Sequence, residues 1–227
     1  METREQKRLR AQKVLEKLVD IYGNPRTELN YANPYQLFVA VILSAQSTDK
    51  KVNEITPRLF SRFPDFFSLS KAQPEHLYSY IKEIGLYRNK AKNLVFSSKK
   101  IIEEFKGKLP DRLEQLITLP GIGRKSANVL LANLFGKDTI TVDTHVMRLS
   151  QRLGFTTKRD PVKIEFELME VWPKGNWSNL SHCLILHGRR VCKARSPRCY
   201  ECVLDSICPK VWIVRSEKKR RRSEEQT

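Results

Sequence analysis

Two glycines one residue apart, set between two segments with helical apolar spacing, constrain this chain more than any other feature. The stretch is Leu119-Pro120-Gly121-Ile122-Gly123-Arg124-Lys125. Leu113 to Thr118 has room for a short helix before it, and Arg124 to Leu134 carries the apolar recurrence of a longer one after it. Reversing the chain between two helices in so few residues needs a tight turn, and glycine supplies the backbone freedom. The expected unit is helix, hairpin, helix. The start of its second helix would present unbonded N–H groups and a positive dipole end, which together favour an anion. A plain helix–helix turn with a C-capping glycine would look similar. The charge of the chain tips the choice: 42 Lys+Arg against 25 Asp+Glu give a net +17, which favours a polyanionic partner, most commonly a phosphate backbone. Gly121, Gly123 and Arg124 are therefore candidate phosphate contacts.

The rest of the chain also reads as helical, so the expected fold class is all-α. Leu9, Val14, Leu15, Leu18, Val19 and Tyr22 recur at helical spacing. Pro34 opens an apolar helix through Leu37, Phe38, Val41 and Ile42. A polar knot, Ser44 to Asp49, precedes a further helix carrying Val52, Ile55, Leu59 and Phe60. Pro57 inside that pattern predicts a kink or a boundary. Thr139 to Val142 reads as extended, Asp143 as the N-cap of the next helix, and Asp160-Pro161 as cap plus first helical residue. Trp177 to Val191 is the last long helix. The run Lys218-Lys219-Arg220-Arg221-Arg222 has the composition of a solvated tail, expected over 216–227. Hydrophobic residues make up 40% of the chain, and the longest apolar run, Leu37 to Leu43, is far short of a membrane span. The N-terminal residues have no apolar core of a secretory leader, so an intracellular, cytoplasmic protein that uses no membrane is expected.

Three further features carry chemistry. Lys125 is placed in the first helical turn after the hairpin. A lysine nucleophile must spend time as the neutral amine, and partial burial and a helix N-terminus both favour that form. Asp143 follows 18 residues later (143 − 125). As a cap it needs no further role; returned toward the hairpin, its carboxylate can stabilise a developing cation or accept a proton. Four of the five cysteines, Cys192, Cys199, Cys202 and Cys208, follow the pattern C-x6-C-x2-C-x5-C. Clustered thiols in a reducing compartment point to metal, and this spacing leaves tetrahedral zinc and a four-iron cluster equally open. Between the first two stand Lys193, Arg195 and Arg198, three cations suited to a second stretch of phosphate backbone. Cys183 stands apart and reads as a small apolar residue.

The hairpin stretch, then Val142-Asp143-Thr144-His145, then the cysteine loop after Leu184-Ile185-Leu186-His187-Gly188-Arg189, occur in one order that resembles the endonuclease III family. These are the iron–sulfur members of the helix-hairpin-helix DNA glycosylases, and the resemblance runs from about Leu9 to Cys208. It implies a two-lobed helix-hairpin-helix glycosylase fold. One lobe would span 27–137 with the hairpin; the other would join 1–26 to 138–215 and carry the cluster, with Lys125 and Asp143 facing the cleft. It implies a [4Fe-4S] cluster on the four cysteines, Lys125 as nucleophile and Asp143 as its carboxylate partner. Gln46, in Leu43 to Asp49, would fill the gap left by an extruded base, and Leu86, in Ile84-Gly85-Leu86-Tyr87, would be a second wedge. His145 matches the DNA-binding motif as well. The implied activity is that of a monomeric base-excision enzyme of a prokaryotic nucleoid. It would remove oxidised pyrimidines from double-stranded DNA and cut the abasic strand by β-elimination. A monofunctional mismatch glycosylase of the same superfamily, and a non-catalytic DNA-binding module, are the competing readings. Lys125 weighs against the first; the adenine-specific branch of the superfamily also carries a further C-terminal domain, which is not expected here.

Overall fold

The computed structural model describes residues 2–213, so the Lys218–Arg222 run lies outside the described residues. Among those residues the chain forms α-helices, one short 3-10 turn and no strand. The helices begin where the sequence offers a cap. Thr3 closes a capping box on α1 (Arg4–Tyr22), and Asn33 caps α2 (Pro34–Ser44) with proline at its start. Thr48 caps α3 (Asp49–Arg62) and Asp65 caps α4 (Phe66–Ser70). Then come α5 (Pro74–Ile81), α6 (Tyr87–Phe105), α7 (Leu113–Leu116) and α8 (Arg124–Phe135). Asp143 caps α9 (Thr144–Arg152), and Asp160-Pro161 opens α10 (Pro161–Val171) as read from the sequence. The last is α11 (Trp177–Arg190).

Of the two effects expected of Pro57, a kink or a boundary, the boundary does not occur. The residue sits inside α3, which continues unbroken to Arg62. Pro57 lies on the exposed face, so water can take up the Asn53 carbonyl that loses its donor.

Two compact units are present. One holds residues 24–141 and 174–182. Its core is α2, buried along its whole length from Tyr35 through Leu43 except Gln36, and packed on α3, α6 and α8. Each fully buried Leu, Ile or Phe there stabilises the fold by ~1.5–3 kcal/mol. The segment expected to be extended, Thr139 to Val142, is neither helix nor strand among the described residues. The Thr139 and Thr141 N–H groups donate to Ser178 Oγ and Ser181 Oγ at 3.1 and 3.0 Å, and Asn128 Nδ2 donates to the Ile140 carbonyl at 2.8 Å. These bonds keep 174–182 with the hairpin unit.

The other unit holds residues 1–23, 142–173 and 183 onward. In it α10 packs against α1 and α9. Trp172 anchors the packing: its Nε1 donates to the Ala11 carbonyl at 2.9 Å and its ring meets Phe155 edge-on at 4.4 Å between centroids. Cys183 is buried, as a small apolar residue would be, and burial raises its thiol to about 11.

Candidate active site and cysteine loop

The hairpin is held from below by α6. Leu119 and Ile122 are buried and anchor both sides of the turn. Ser97 Oγ donates to the Pro120 carbonyl at 2.7 Å, and Lys100 Nζ to the Thr118 carbonyl at 3.3 Å. The two glycines have different reasons to be there. Gly121 has φ +83°, and a Cβ on it would stand 2.8 Å from Asn93 Nδ2 and 2.9 Å from Asn93 Cβ. Gly123, the N-cap of α8, has φ −92° and open space where a Cβ would go. The fold therefore demands glycine at 121 but not at 123. No side chain caps α8, so the first-turn N–H groups beside Gly123 face the direction from which an anion can approach.

Lys125 is the second residue of α8 and is exposed. Its place in the first helical turn is the one the sequence predicts. Arg124, the first residue, is half-buried.

Asp143 fixes one oxygen only. Its Oδ1 accepts from the His145 and Val146 N–H groups, each at 2.8 Å. Among the described residues nothing is bonded to Oδ2, so one carboxylate oxygen builds the helix and the other is left for chemistry. His145 is half-buried, and Arg148 Nη2 donates to its Nδ1 at 3.1 Å. Desolvation lowers its pKa, so near neutral pH the ring is an uncharged acceptor toward Arg148. A Cβ on Gly188 would come within 2.9 Å of His145 Cβ; the glycine in Leu186-His187-Gly188-Arg189 is what lets α11 lie against α9.

In the hairpin unit the two expected wedge residues form neighbouring loops. Gln46 and Leu86 both have left-handed backbones, with φ +54° and +59°. Leu86 is 56% exposed, as an apolar tip rather than a core leucine, and Gln46 is exposed. A Cβ on Gly85 would lie 3.9 Å from the Gln46 carbonyl oxygen, so the loops touch through their backbones.

The cysteine loop leaves the end of α11, where the Cys192 N–H donates to the His187 carbonyl at 2.8 Å. Arg152 spans it: Nη1 donates to Cys192 Sγ at 3.3 Å and to the Lys193 carbonyl at 2.7 Å, and Nη2 to the Ala194 carbonyl at 2.9 Å. His187 is buried, held near pKa 4 by desolvation, and sits with Nε2 3.3 Å from Cys202 Sγ and Nδ1 3.1 Å from the Tyr22 hydroxyl. A neutral ring fits both contacts if Nε2–H donates to sulfur and Nδ1 accepts from tyrosine. Burial, and then the neighbouring thiols, raise Cys199 and Cys208, and raise Cys202 to about 11. Among the described residues no three His, Cys, Asp or Glu side chains converge as a single metal ion requires. Of the loop cations, Lys193 and Arg195 are exposed, while Arg198 is half-buried, donating from Nη2 to the Arg190 carbonyl at 2.6 Å and pairing through Nη1 with Glu201 at 2.9 Å.

Sequence spacing did not single out Arg148, Arg152, His187 or Lys90. The two arginines repeat at i, i+4 on α9, and His187 precedes Cys192 by one turn and a residue. Both patterns are visible once the loop's position is known.

The chain matches the model of the HhH-GPD superfamily base excision DNA repair protein over residues 39–174. It is 49% identical over 204 residues to endonuclease III of Synechocystis sp., covering 89% of this chain and 93% of that one. Its fold superposes with a TM-score of 0.85 on a non-covalent endonuclease III–DNA complex, at 39% identity, over 92% of this chain and 97% of the other. A trapped endonuclease III–DNA covalent intermediate gives the same TM-score, identity and coverage. No described helix is long and apolar enough to cross a membrane. With hairpin, capped aspartate and cysteine loop all lying inside that shared fold, the chain belongs to the HhH-GPD superfamily of base excision DNA repair proteins and, within it, to the endonuclease III family.

Proposed function

We propose that the protein is a bifunctional DNA glycosylase and abasic-site lyase that acts, as a monomer in a prokaryotic cytoplasm, on oxidised pyrimidines in double-stranded DNA. The observation that carries this reading is Lys125 itself, exposed in the first turn of α8 directly after an uncapped hairpin. The trapped covalent intermediate of a 39% identical relative supports it.

The target nucleotide leaves the stack, because its glycosidic bond is out of reach inside it. Gln46 and Leu86 occupy the space it vacates. The Lys125 amine forms a bond to C1′ as the bond from C1′ to the base breaks. Asp143 stabilises the positive charge on the sugar and takes a proton from the attacking amine. The C1′–O4′ bond then breaks, O4′ taking a proton, as the C1′=N double bond of the Schiff base forms; loss of the C2′ proton from that Schiff base expels the 3′ phosphate, and the strand is cut. Gly121, Gly123, Arg124 and His145 hold the backbone near the lesion, and Lys193, Arg195 and Arg198 line the cysteine loop as a second phosphate contact.

Cys192, Cys199, Cys202 and Cys208 fit a [4Fe-4S] cluster better than one zinc ion. Their thiols lie near enough to raise one another yet do not converge on a point. Buried thiols pushed upward need a cationic centre to be held as thiolates. Arg152 and His187 supply N–H donors to two of the sulfurs. The cluster, when bound, pins the basic loop. The purified protein is expected to be yellow-brown; a colourless, zinc-loaded, active protein contradicts this assignment.

The enzyme reading is tested by borohydride trapping on duplexes carrying oxidised pyrimidines or a preformed abasic site. A covalent adduct and strand cleavage are expected; base release that leaves the strand intact favours the monofunctional alternative, and binding without release favours the non-catalytic one.

The glycines give a separate check on the phosphate contact. Gly121→Ala meets left-handed strain of about 1–2 kcal/mol as well as Asn93, and should lower the melting temperature. Gly123→Ala has room and ordinary backbone angles, so it should change stability by no more than about 1 kcal/mol yet weaken binding to duplex DNA. Equal affinity of Gly123→Ala and wild type would remove the uncapped α8 terminus from the contact.

A further inference from the structure

Lys90 is 4% exposed. A buried ammonium is expensive unless it is paired, yet among the described residues its side-chain partners include no carboxylate. Nζ donates to the Leu43 carbonyl at 2.9 Å and to Ser47 Oγ at 3.0 Å. Leu43 lies in the last turn of α2, where carbonyls lack helical partners, and Ser47 follows Gln46 directly. The backbone of Lys90 is tied to the other loop, its N–H donating to the Leu86 carbonyl at 3.1 Å. One residue thus holds the loops of Gln46 and Leu86 from beneath, and an exposed ion pair between Lys51 and Glu83 bridges the same two segments at the rim. Burial alone lowers the Lys90 amine to about 8. A methionine of similar length would fill the space without that penalty but would leave the Leu43 carbonyl and Ser47 Oγ without this donor.

We propose that Lys90 is a positioning residue for base extrusion, holding the loop of Gln46 at the height from which it enters the stack and locking it to the loop of Leu86. This rests on the reading of Gln46 as the residue that fills the vacated space. Lys90 touches no substrate. Its effect passes through Gln46, so it should matter most when a stacked base must be displaced and less when the base is already gone.

The test compares excision of an oxidised pyrimidine with cleavage of a preformed abasic site in wild type, Lys90→Met, Gln46→Ala and the double variant. Lys90→Met should lose about tenfold in kcat/KM on the base lesion, within the range that contacting residues couple, and clearly less on the abasic site. Adding Gln46→Ala to Lys90→Met should cause little further loss. Equal loss on both substrates, or losses that multiply in the double variant, overturn the proposal, because a merely structural lysine acts independently of Gln46. If Lys90→Met gives no cooperative melt, Ser47→Ala carries the test: it removes the loop-side partner alone and should show the same selectivity, and wild-type selectivity overturns the proposal. Trapping of wild type on the abasic duplex is the control; its failure sinks the enzyme reading, not the role of Lys90.

Discussion

Lys125→Ala should give no borohydride-trapped adduct on abasic DNA and no strand cleavage, while its affinity for the same duplex falls only modestly. The expected loss of lyase activity is complete within detection, because no other amine has the same place. Lys125 is exposed at the second position of α8, next to first-turn N–H groups that no side chain caps. Anchoring by Leu119, Ile122 and the Ser97 and Lys100 bonds to the turn fixes that place to within the rigidity of the core. Alanine is the best helix former, so the substitution should leave α8 intact and the unfolding free energy within about 0.5 kcal/mol of wild type. An adduct that survives in Lys125→Ala moves the nucleophile to another residue. Loss of affinity as large as the loss of cleavage would make Lys125 a phosphate contact instead.

Asp143→Asn separates two roles that one residue combines. Asparagine caps a helix as well as aspartate does, and its Oδ1 can accept the same two N–H groups of His145 and Val146. The helix should lose only the charge–dipole contribution of about 0.3–1 kcal/mol. The second oxygen, however, becomes an amide nitrogen that can neither accept a proton nor balance a cationic sugar. Turnover should drop by about 10²–10⁴, the usual weight of a positioned acid or base, with duplex affinity nearly unchanged. Single-turnover rates and anisotropy on the same lesion read the two quantities apart. Near wild-type turnover would return Asp143 to the status of a helix cap.

Much of this was legible because it is local. The hairpin follows from two glycines between helical patterns, and the caps at Asp143 and Asp160 from side chains that bond the backbone three residues on. The cysteine loop follows from spacing. That Pro57 stands inside α3 rather than at its end depends on which face of the helix meets water, which no local pattern encodes. Lys90 was hidden for a related reason: a lysine within an amphipathic helix reads as a solvated charge until the end of α2 is seen to lie over it. The reason for Gly121 was legible only in part, since Asn93, which forbids a side chain there, is 28 residues away in sequence (121 − 93). Lys125 stands in the first turn of its helix, where the sequence placed it. Residues that act through distant packing leave little trace in a sequence; residues that act through their own backbone leave a clear one.

The helix α6 has a consequence for the geometry of damage recognition. Lys90, Asn93, Ser97 and Lys100 lie on one stripe of it, three or four residues apart. The first anchors the loops of Gln46 and Leu86; the other three meet the hairpin turn. At 1.5 Å of rise per residue, the seven residues from Lys90 to Ser97 set an axial offset of about 10 Å between the two groups. On the proposed reading of those residues the helix is a ruler, fixing how far the place where a base leaves the duplex stands from the place where its backbone is gripped. Deleting one residue between Lys90 and Asn93 would turn the two marks about 100° out of line, spoiling that measure while leaving every contacting side chain in the sequence.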